Sequence, residues 1–241
     1  MPYYGYGYRY GIMWDPTYWL VLIGALLCLG ASALVNSTMK KYSKVRNSYG
    51  ITGAEAARRI LNQEGLYNVQ IECLNNSSGD HYDPGTNTVR LSYNNYNGAS
   101  VTAVGVAAHE CGHAIQHAKG YAPLSIRSAM VPVVNIGSNL GLPIILLGVL
   151  LGWSQTLIQI GIWAFALSVI FQLVTLPVEF NASRRAVQRI EHYGLLTAEE
   201  NTGCKKVLTA AALTYVAAAA SSILQLLRLV LLFGGNRRRD D

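Results

Sequence analysis

The chain has 241 residues, 51% of them hydrophobic and 13% charged, with a formal net charge of +6. A soluble domain carries roughly 25% charged residues, so this composition, with a mean hydropathy of +0.23, excludes an ordinary cytosolic globule; it also excludes disorder, which needs low hydrophobicity and high net charge. The basic excess fits a rim at an anionic membrane surface rather than a nucleic-acid partner, and four scattered cysteines without a C-x-x-C pair exclude a disulfide framework or a cysteine-held zinc.

Residues 1–17 form a tail with five tyrosines, Trp14 and one basic residue, Arg9. Such a tail suits headgroup depth. No charge occurs from Thr17 to Met39, which predicts a first transmembrane helix over 18–37. Ala31-Ser32-Ala33 resembles a signal cleavage site, but the preceding region is long and holds Asp15, and Lys40 and Lys41 follow at once. A retained anchor is therefore expected.

Residues 38–127 form an insert of mixed character. Thr52-Gly53-Ala54-Glu55 is a capping box that opens a helix running to about Glu64. Val69–Leu74 reads as a strand, Asn75–Gly79 as a turn, and Thr88–Ser92 as a second strand after Pro84-Gly85. An alanine-rich helix then runs from near Ser100 to Lys119-Gly120.

That helix carries His109-Glu110-Cys111-Gly112-His113. His-Glu-x-x-His on a helix places two imidazoles one turn apart on one face. Both can then reach one Zn²⁺ at about 2.0–2.1 Å. Glu110 is free to take a proton from a water in the metal's open position and to return it to a leaving amine. A chain with only five histidines seldom meets this pattern by accident.

Zinc needs a third protein ligand. His117 continues the row but has drifted about 80° around the helix from His109. The metzincin extension fails, with Gln116 and Lys119 where Gly and His are required. His81 and His192 are isolated. The remaining candidate is Glu179, the first charge after 51 uncharged residues from Ser128 to Val178 and expected at the start of a helix. An acid complementing a helix N-terminus is the plainer alternative. Ser183, one turn on, is placed to hydrogen-bond a ligand.

The 51-residue stretch predicts a hairpin over 128–177, two helices broken at Gly152-Trp153-Ser154-Gln155. Gly137-x-x-x-Gly141 and Gly148-x-x-x-Gly152 offer close backbone approach there. Residues 178–206 read as a cytoplasmic helix bearing Glu179. Residues 207–233 form a fourth apolar stretch, transmembrane or interfacial, interrupted by Arg228, and 234–241 a charged tail. Lys40, Lys41, Lys44, Arg46, Arg127, Arg184, Arg185 and Arg189 place the insert and 178–206 in the cytoplasm and the amino terminus outside. A full fourth crossing would put Arg237-Arg238-Arg239 outside, against that bias.

Several runs now carry a resemblance. These are Ala-Ala-His109-Glu110-x-Gly112-His113-Ala-Ile-Gln116-His117, Gly120-Tyr121-Ala122-Pro123-Leu124 and Val131-Pro132-Val133-Val134-Asn135. The amino-terminal tyrosines with Asp15-Pro16, the Lys40–Asn47 segment and Asp80-His81-Tyr82-Asp83-Pro84 extend it over nearly the whole chain. The chain resembles the YugP-type neutral zinc metallopeptidases. The resemblance implies a prokaryotic, multi-pass plasma-membrane metallopeptidase. More distantly, Glu179-Phe-x-Ala-Ser183 is similar to the Glu-x-x-x-Asp motif of HtpX-like and CAAX-prenyl membrane gluzincins, which supports Glu179 as third ligand. Ser183 stands where those relatives carry Asp.

The expectation is thus a mainly α, polytopic membrane protein with a small α+β, gluzincin-like cytoplasmic catalytic region. It holds one Zn²⁺ per chain on His109, His113 and Glu179, with Glu110 as general base. It cuts peptide bonds of membrane or membrane-proximal proteins. The exposed edge of Thr88, Val89, Arg90, Leu91 and Ser92 is the expected seat for an extended substrate, and His81 a candidate oxyanion donor. Its partners are the bilayer, protein or peptide substrates, and either a membrane partner protein or further copies of itself; no nucleic acid is expected. An inactive membrane scaffold that keeps the motif is the alternative. A metal transporter is disfavoured, because the spans 19–35 and 131–176 hold no ionisable residue.

Overall fold

The computed structural model describes residues 15–74 and 79–233, without the side chains of Ile136 and Ser138. The tyrosine-rich tail before Asp15, the expected turn residues 75–78 and Arg237-Arg238-Arg239 lie outside the described residues. In chain order the elements are α1 (Tyr18–Tyr42), α2 (Gly53–Gln63), β1 (Gln70–Leu74), β2 (His81–Asp83), β3 (Thr88–Ser92), α3 (Tyr93–Asn97), α4 (Val101–Ala118), α5 (Ala122–Leu150), α6 (Gln155–His192) and α7 (Ala198–Phe233). Helix dominates, and α1, α5, α6 and α7 are each long and apolar enough to cross a membrane. The helices follow the uncharged stretches because apolar side chains impose no local alternative to the backbone's own hydrogen bonds.

The chain divides into two compact units. One comprises Met1–Gly30, Met130–Leu173 and Val216–Asp241. Its apolar side chains point outward: Trp19, Leu26, Leu150 and Trp163 are among the most exposed. α5 and α6 meet through a turn at 151–154, where Gly152 and Trp153 take positive φ, as the expected break required. The small-residue approach is real at Gly141, whose carbonyl would lie 2.6 Å from a Cβ on Gly161. Polar ties also occur: Gln172 donates to Ser222 at 2.8 Å and Arg228 to Asp15 at 2.8 Å.

The second unit comprises Ala31–Ala129 and Val174–Tyr215. Thr52 and Glu55 form the predicted capping box on α2. Ile60 and Leu61 of α2, Val89 and Leu91 of β3, Val104 and Ile115 of α4 and Ile190 of α6 share one buried core. Strand order is β1-β3-β2, β1 parallel and β2 antiparallel to β3. Two elements of this unit, β2 and α3, were not anticipated; both are too short to show a hydrophobic period.

Two expectations are corrected here. Thr88–Ser92 is the central strand, so it offers no free edge: β1 pairs along all of it, and β2 pairs with Thr88, Val89 and Arg90. Arg90 instead bridges Glu72 and Asp83 on either side, at 3.0 and 2.6 Å. Second, no new helix begins near Glu179. α6 continues through Pro177 to His192, and the chain breaks only at 193–197. Proline removes one backbone donor, but Val178, Ala182 and Ala186 keep the helix pressed into the core.

Candidate metal centre

α4 begins at Ser100, whose hydroxyl caps the Ala103 N–H and satisfies one of the helix's free donors. It is buried almost all round, and its alanines and glycines let neighbours come close. At Gly112, between the two histidines, a Cβ would lie 2.6 Å from the carbonyl oxygen of Ala182 on α6. This close crossing brings Glu179, three residues before Ala182, to the histidine face.

There Glu179 Oε2 lies 3.3 Å from His109 Nε2 and 3.7 Å from His113 Nε2. The imidazoles stand edge to face, centroids 4.8 Å apart. Two ligands at zinc's tetrahedral corners are about 3.3 Å apart when each bond is about 2.05 Å. Oε2 is buried and has no hydrogen-bond partner, although both imidazoles are near. A buried carboxylate oxygen is normally satisfied. An orphan aimed at two ring nitrogens is the arrangement a shared cation completes, and the two-nitrogen, one-oxygen donor set suits zinc. Among the described residues, His109, His113 and Glu179 form the group that could hold the ion.

The electrostatics agree. Burial pushes the Glu179 carboxyl up, but the two imidazoles more than reverse this and hold it well below the usual carboxylate range. Burial pushes His113 down, yet Glu179 and Glu110 raise it above its ordinary value. The pocket therefore draws positive charge inward. Glu110, only 7% exposed, has no hydrogen-bond or ion-pair partner among the described residues. A buried acid left free beside the donor trio is available for proton transfer.

Each donor is held from behind. Ser183 Oγ is 3.1 Å from His109 Nδ1. Gln116 Oε1 is 3.0 Å from His113 Nδ1, and Gln116 Nε2 donates to the Val178 carbonyl and to Asn181 Oδ1 at 2.8 and 3.0 Å. Arg127 Nη1 lies 3.3 Å from Glu179 Oε1, leaving Oε2 to face the histidines. Such outer partners fix the tautomer and orientation of metal ligands. Sequence reasoning missed Arg127, Gln116 and Asn181 in this capacity. Gln116 carried a readable signal, three residues after His113 on the same helical face. Arg127 carried none beyond its charge.

The other candidates lie elsewhere. His81 is exposed on β2, its Nδ1 2.9 Å from the Gly79 carbonyl, and is not part of the trio. His117 Nδ1 pairs with the Tyr82 hydroxyl at 2.8 Å, and His192 meets the Tyr193 ring edge-on. Cys111 packs into the core with its sulfur 3.7 Å from the Ala57 carbonyl, and burial pushes its thiol far up. That is the behaviour of a small packing residue.

Residues 17–234 match the family model described as "Putative neutral zinc metallopeptidase". A protein of Bacillus subtilis (strain 168) described as "Putative membrane protease YugP" is 50% identical over 190 residues, covering 79% of this chain and 84% of that protein. No solved structure matches the chain.

Proposed function

This chain belongs to the neutral zinc metallopeptidase family, and on that premise we propose that it is a membrane-spanning zinc endopeptidase of the HExxH, gluzincin type. The observation that carries the reading is Glu179 Oε2, from a helix 70 residues on in sequence, which stands buried without a hydrogen-bond partner before the Nε2 atoms of His109 and His113. One zinc per chain is assigned to these three residues. When bound, zinc supplies Lewis acidity to a water and to the carbonyl of the scissile bond.

The protein's own groups do the rest. Glu110 accepts the proton of the attacking water and delivers it to the leaving amine, so the peptide carbon gains oxygen as its bond to nitrogen breaks. Ser183 and Gln116, through the Nδ1 atoms of His109 and His113, hold both rings with Nε2 facing Glu179 Oε2, where they would hold the ion. Arg127 engages Glu179 Oε1, which would leave Oε2 to hold the ion. The closed packing of α4 limits water in the site, which strengthens each of these interactions.

α1, α5, the first part of α6 and α7 are four crossings, with the amino terminus outside and the metal centre at the cytoplasmic face of a prokaryotic plasma membrane. The support for this arrangement is the cluster of Lys and Arg beside Met39, Ser128 and Leu176. α7 counts as a crossing because its Arg228 reaches Asp15, which precedes α1. Glu179 follows the third apolar stretch by a few residues, which favours membrane or membrane-adjacent protein substrates.

The test is Glu110→Gln in the full chain. The variant should bind one zinc while cleavage of casein and of membrane proteins falls about 10²- to 10⁴-fold. Unchanged cleavage would remove Glu110 from the mechanism. Full zinc occupancy in Glu179→Ala would remove the third ligand. A zinc-loaded wild-type chain that cuts neither kind of protein would favour the inactive scaffold.

A further inference from the structure

Away from the metal centre, α1 and α7 leave a groove of about 560 Å³ between them, within the range of small-ligand pockets. Its walls are sorted by chemistry along the helices. Lys41, Lys205 and Lys206 stand at one end, the hydroxyls of Thr38 and Thr209 between, and Leu34 and Leu213 at the other. The lysine end is closed by a tight junction: the Tyr42 ring lies on Gly203, where a Cβ would be 2.5 Å from the ring. Leu34 is eight residues before Tyr42 and Leu213 ten after Gly203. At 1.5 Å per residue the leucines therefore lie about 12–15 Å from that junction, along both helices in the same direction.

The lysines lack a strong counter-charge. No residue lining the groove is acidic. Lys205 is 3.9 Å from Glu191, but both are more than half exposed, and such pairs contribute little. Lys41 and Lys206 have no ion-pair partner among the described residues. Beyond the leucines the two helices stay uncharged, toward Thr17 in α1 and toward Leu227 in α7.

A free phosphate would answer the lysines and leave the apolar end unfilled. A ligand with an anionic phosphate head and hydrocarbon chains answers both. We infer that this groove binds an anionic phospholipid of the surrounding bilayer, its phosphate among Lys41, Lys205 and Lys206 and its acyl chain along Leu34 and Leu213. The inference rests on the reading that α1 and α7 cross the membrane. Bound there, the lipid bridges the two helices at the membrane surface.

The experiment uses the full chain in phosphatidylcholine nanodiscs with added phosphatidylglycerol, counting retained lipid by native mass spectrometry after detergent transfer. Lys41→Gln/Lys205→Gln/Lys206→Gln should weaken phosphatidylglycerol retention by about tenfold to a hundredfold. A control, Lys40→Gln/Lys44→Gln/Arg59→Gln, removes the same charge outside the groove and should retain the lipid. Thr209→Trp fills the groove without changing charge and should also lose it. Equal retention by the groove variants and the control overturns the lipid site. Displacement of the lipid by inorganic phosphate as readily as by short-chain phosphatidylglycerol assigns a free-anion site and overturns it as well. Alkaline carbonate extraction distinguishes the underlying reading: a chain released from membranes refutes the crossings and the inference together, whereas a retained chain leaves the groove result to stand or fall alone.

Discussion

Gly112 presents a bare Cα to the backbone of Ala182, so close that a Cβ would stand 2.6 Å from the carbonyl oxygen. The atom it would meet is backbone and cannot swing away, so α4 and α6 would have to separate. Because Glu179 rides on α6, separation carries its carboxylate away from the histidines. Gly112→Ala should therefore cost about 1–3 kcal/mol of stability and weaken zinc binding with it. At Gly105 a Cβ would meet the Cys204 sulfur at 2.8 Å, a side chain rather than backbone. Gly105→Ala should lower Tm while leaving zinc affinity nearly intact. Thermal melts with chelator competition on both variants check this; an unchanged zinc Kd in Gly112→Ala would refute it.

Arg127 contacts Glu179 and Ser183 contacts His109, two of the residues proposed to hold the zinc. Removing an outer partner of a metal ligand typically costs about 10–100-fold in affinity. Arg127→Gln and Ser183→Ala should each raise the zinc Kd within that range. Ser183→Asp should recover affinity, because a carboxylate is the stronger acceptor for the His109 Nδ1–H. Zinc competition at fixed pH measures all three, and equal Kd values across the set would show that these contacts only pack.

Glu64, at the end of α2, joins three elements: it accepts from Arg189 and from the Tyr193 hydroxyl, and Lys119 lies 3.5 Å away. Burial pushes its carboxyl up, but Arg189 and Tyr193 outweigh this and hold it below its ordinary value. A depressed folded value stabilises the protein above the unfolded value, about 4.3, and the contribution is lost as pH falls through the folded value. Wild type should thus melt above Glu64→Gln at neutral pH, and the gap should close as the solution is acidified below about pH 4. A gap that stays constant across the acid range would exclude the linkage.

Cys111 and Cys204 are buried, and burial pushes the Cys111 thiol far up. The thiolate is the reactive form. In the native protein neither should react with a maleimide at neutral pH, whereas Cys73, partly exposed on β1, should. Mass mapping of labelled peptides before and after denaturation reads this directly. Rapid native labelling of Cys111 would contradict its place in the packed core.

Much of the site was legible one helix at a time. His109, Glu110 and His113 announce themselves because i, i+4 spacing fixes their shared face wherever the helix lies. Glu179 was legible as a lone acid beyond an uncharged stretch, but its setting was misread. A first charge after a long uncharged run suggests a helix start, whereas packing of Val178 and Ala182 carries α6 straight through Pro177. The substrate edge was misplaced for a similar reason: alternation identifies Thr88–Ser92 as a strand but says nothing of which strands flank it.

By itself the sequence determined the apolar spans, the capped helix of the insert and the histidine pair, since each depends on residues within a turn or two of one another or on an unbroken run of one chemical kind. Only the tertiary structure decided that Glu179 meets the histidines and Arg127 meets Glu179, that Gln116 and Ser183 contact the rings, and that three lysines from α1 and α7 share one groove. Those meetings join residues up to 165 positions apart. They follow from how closely helices can approach, which small residues such as Gly112 and Gly203 set through contacts that no local pattern encodes.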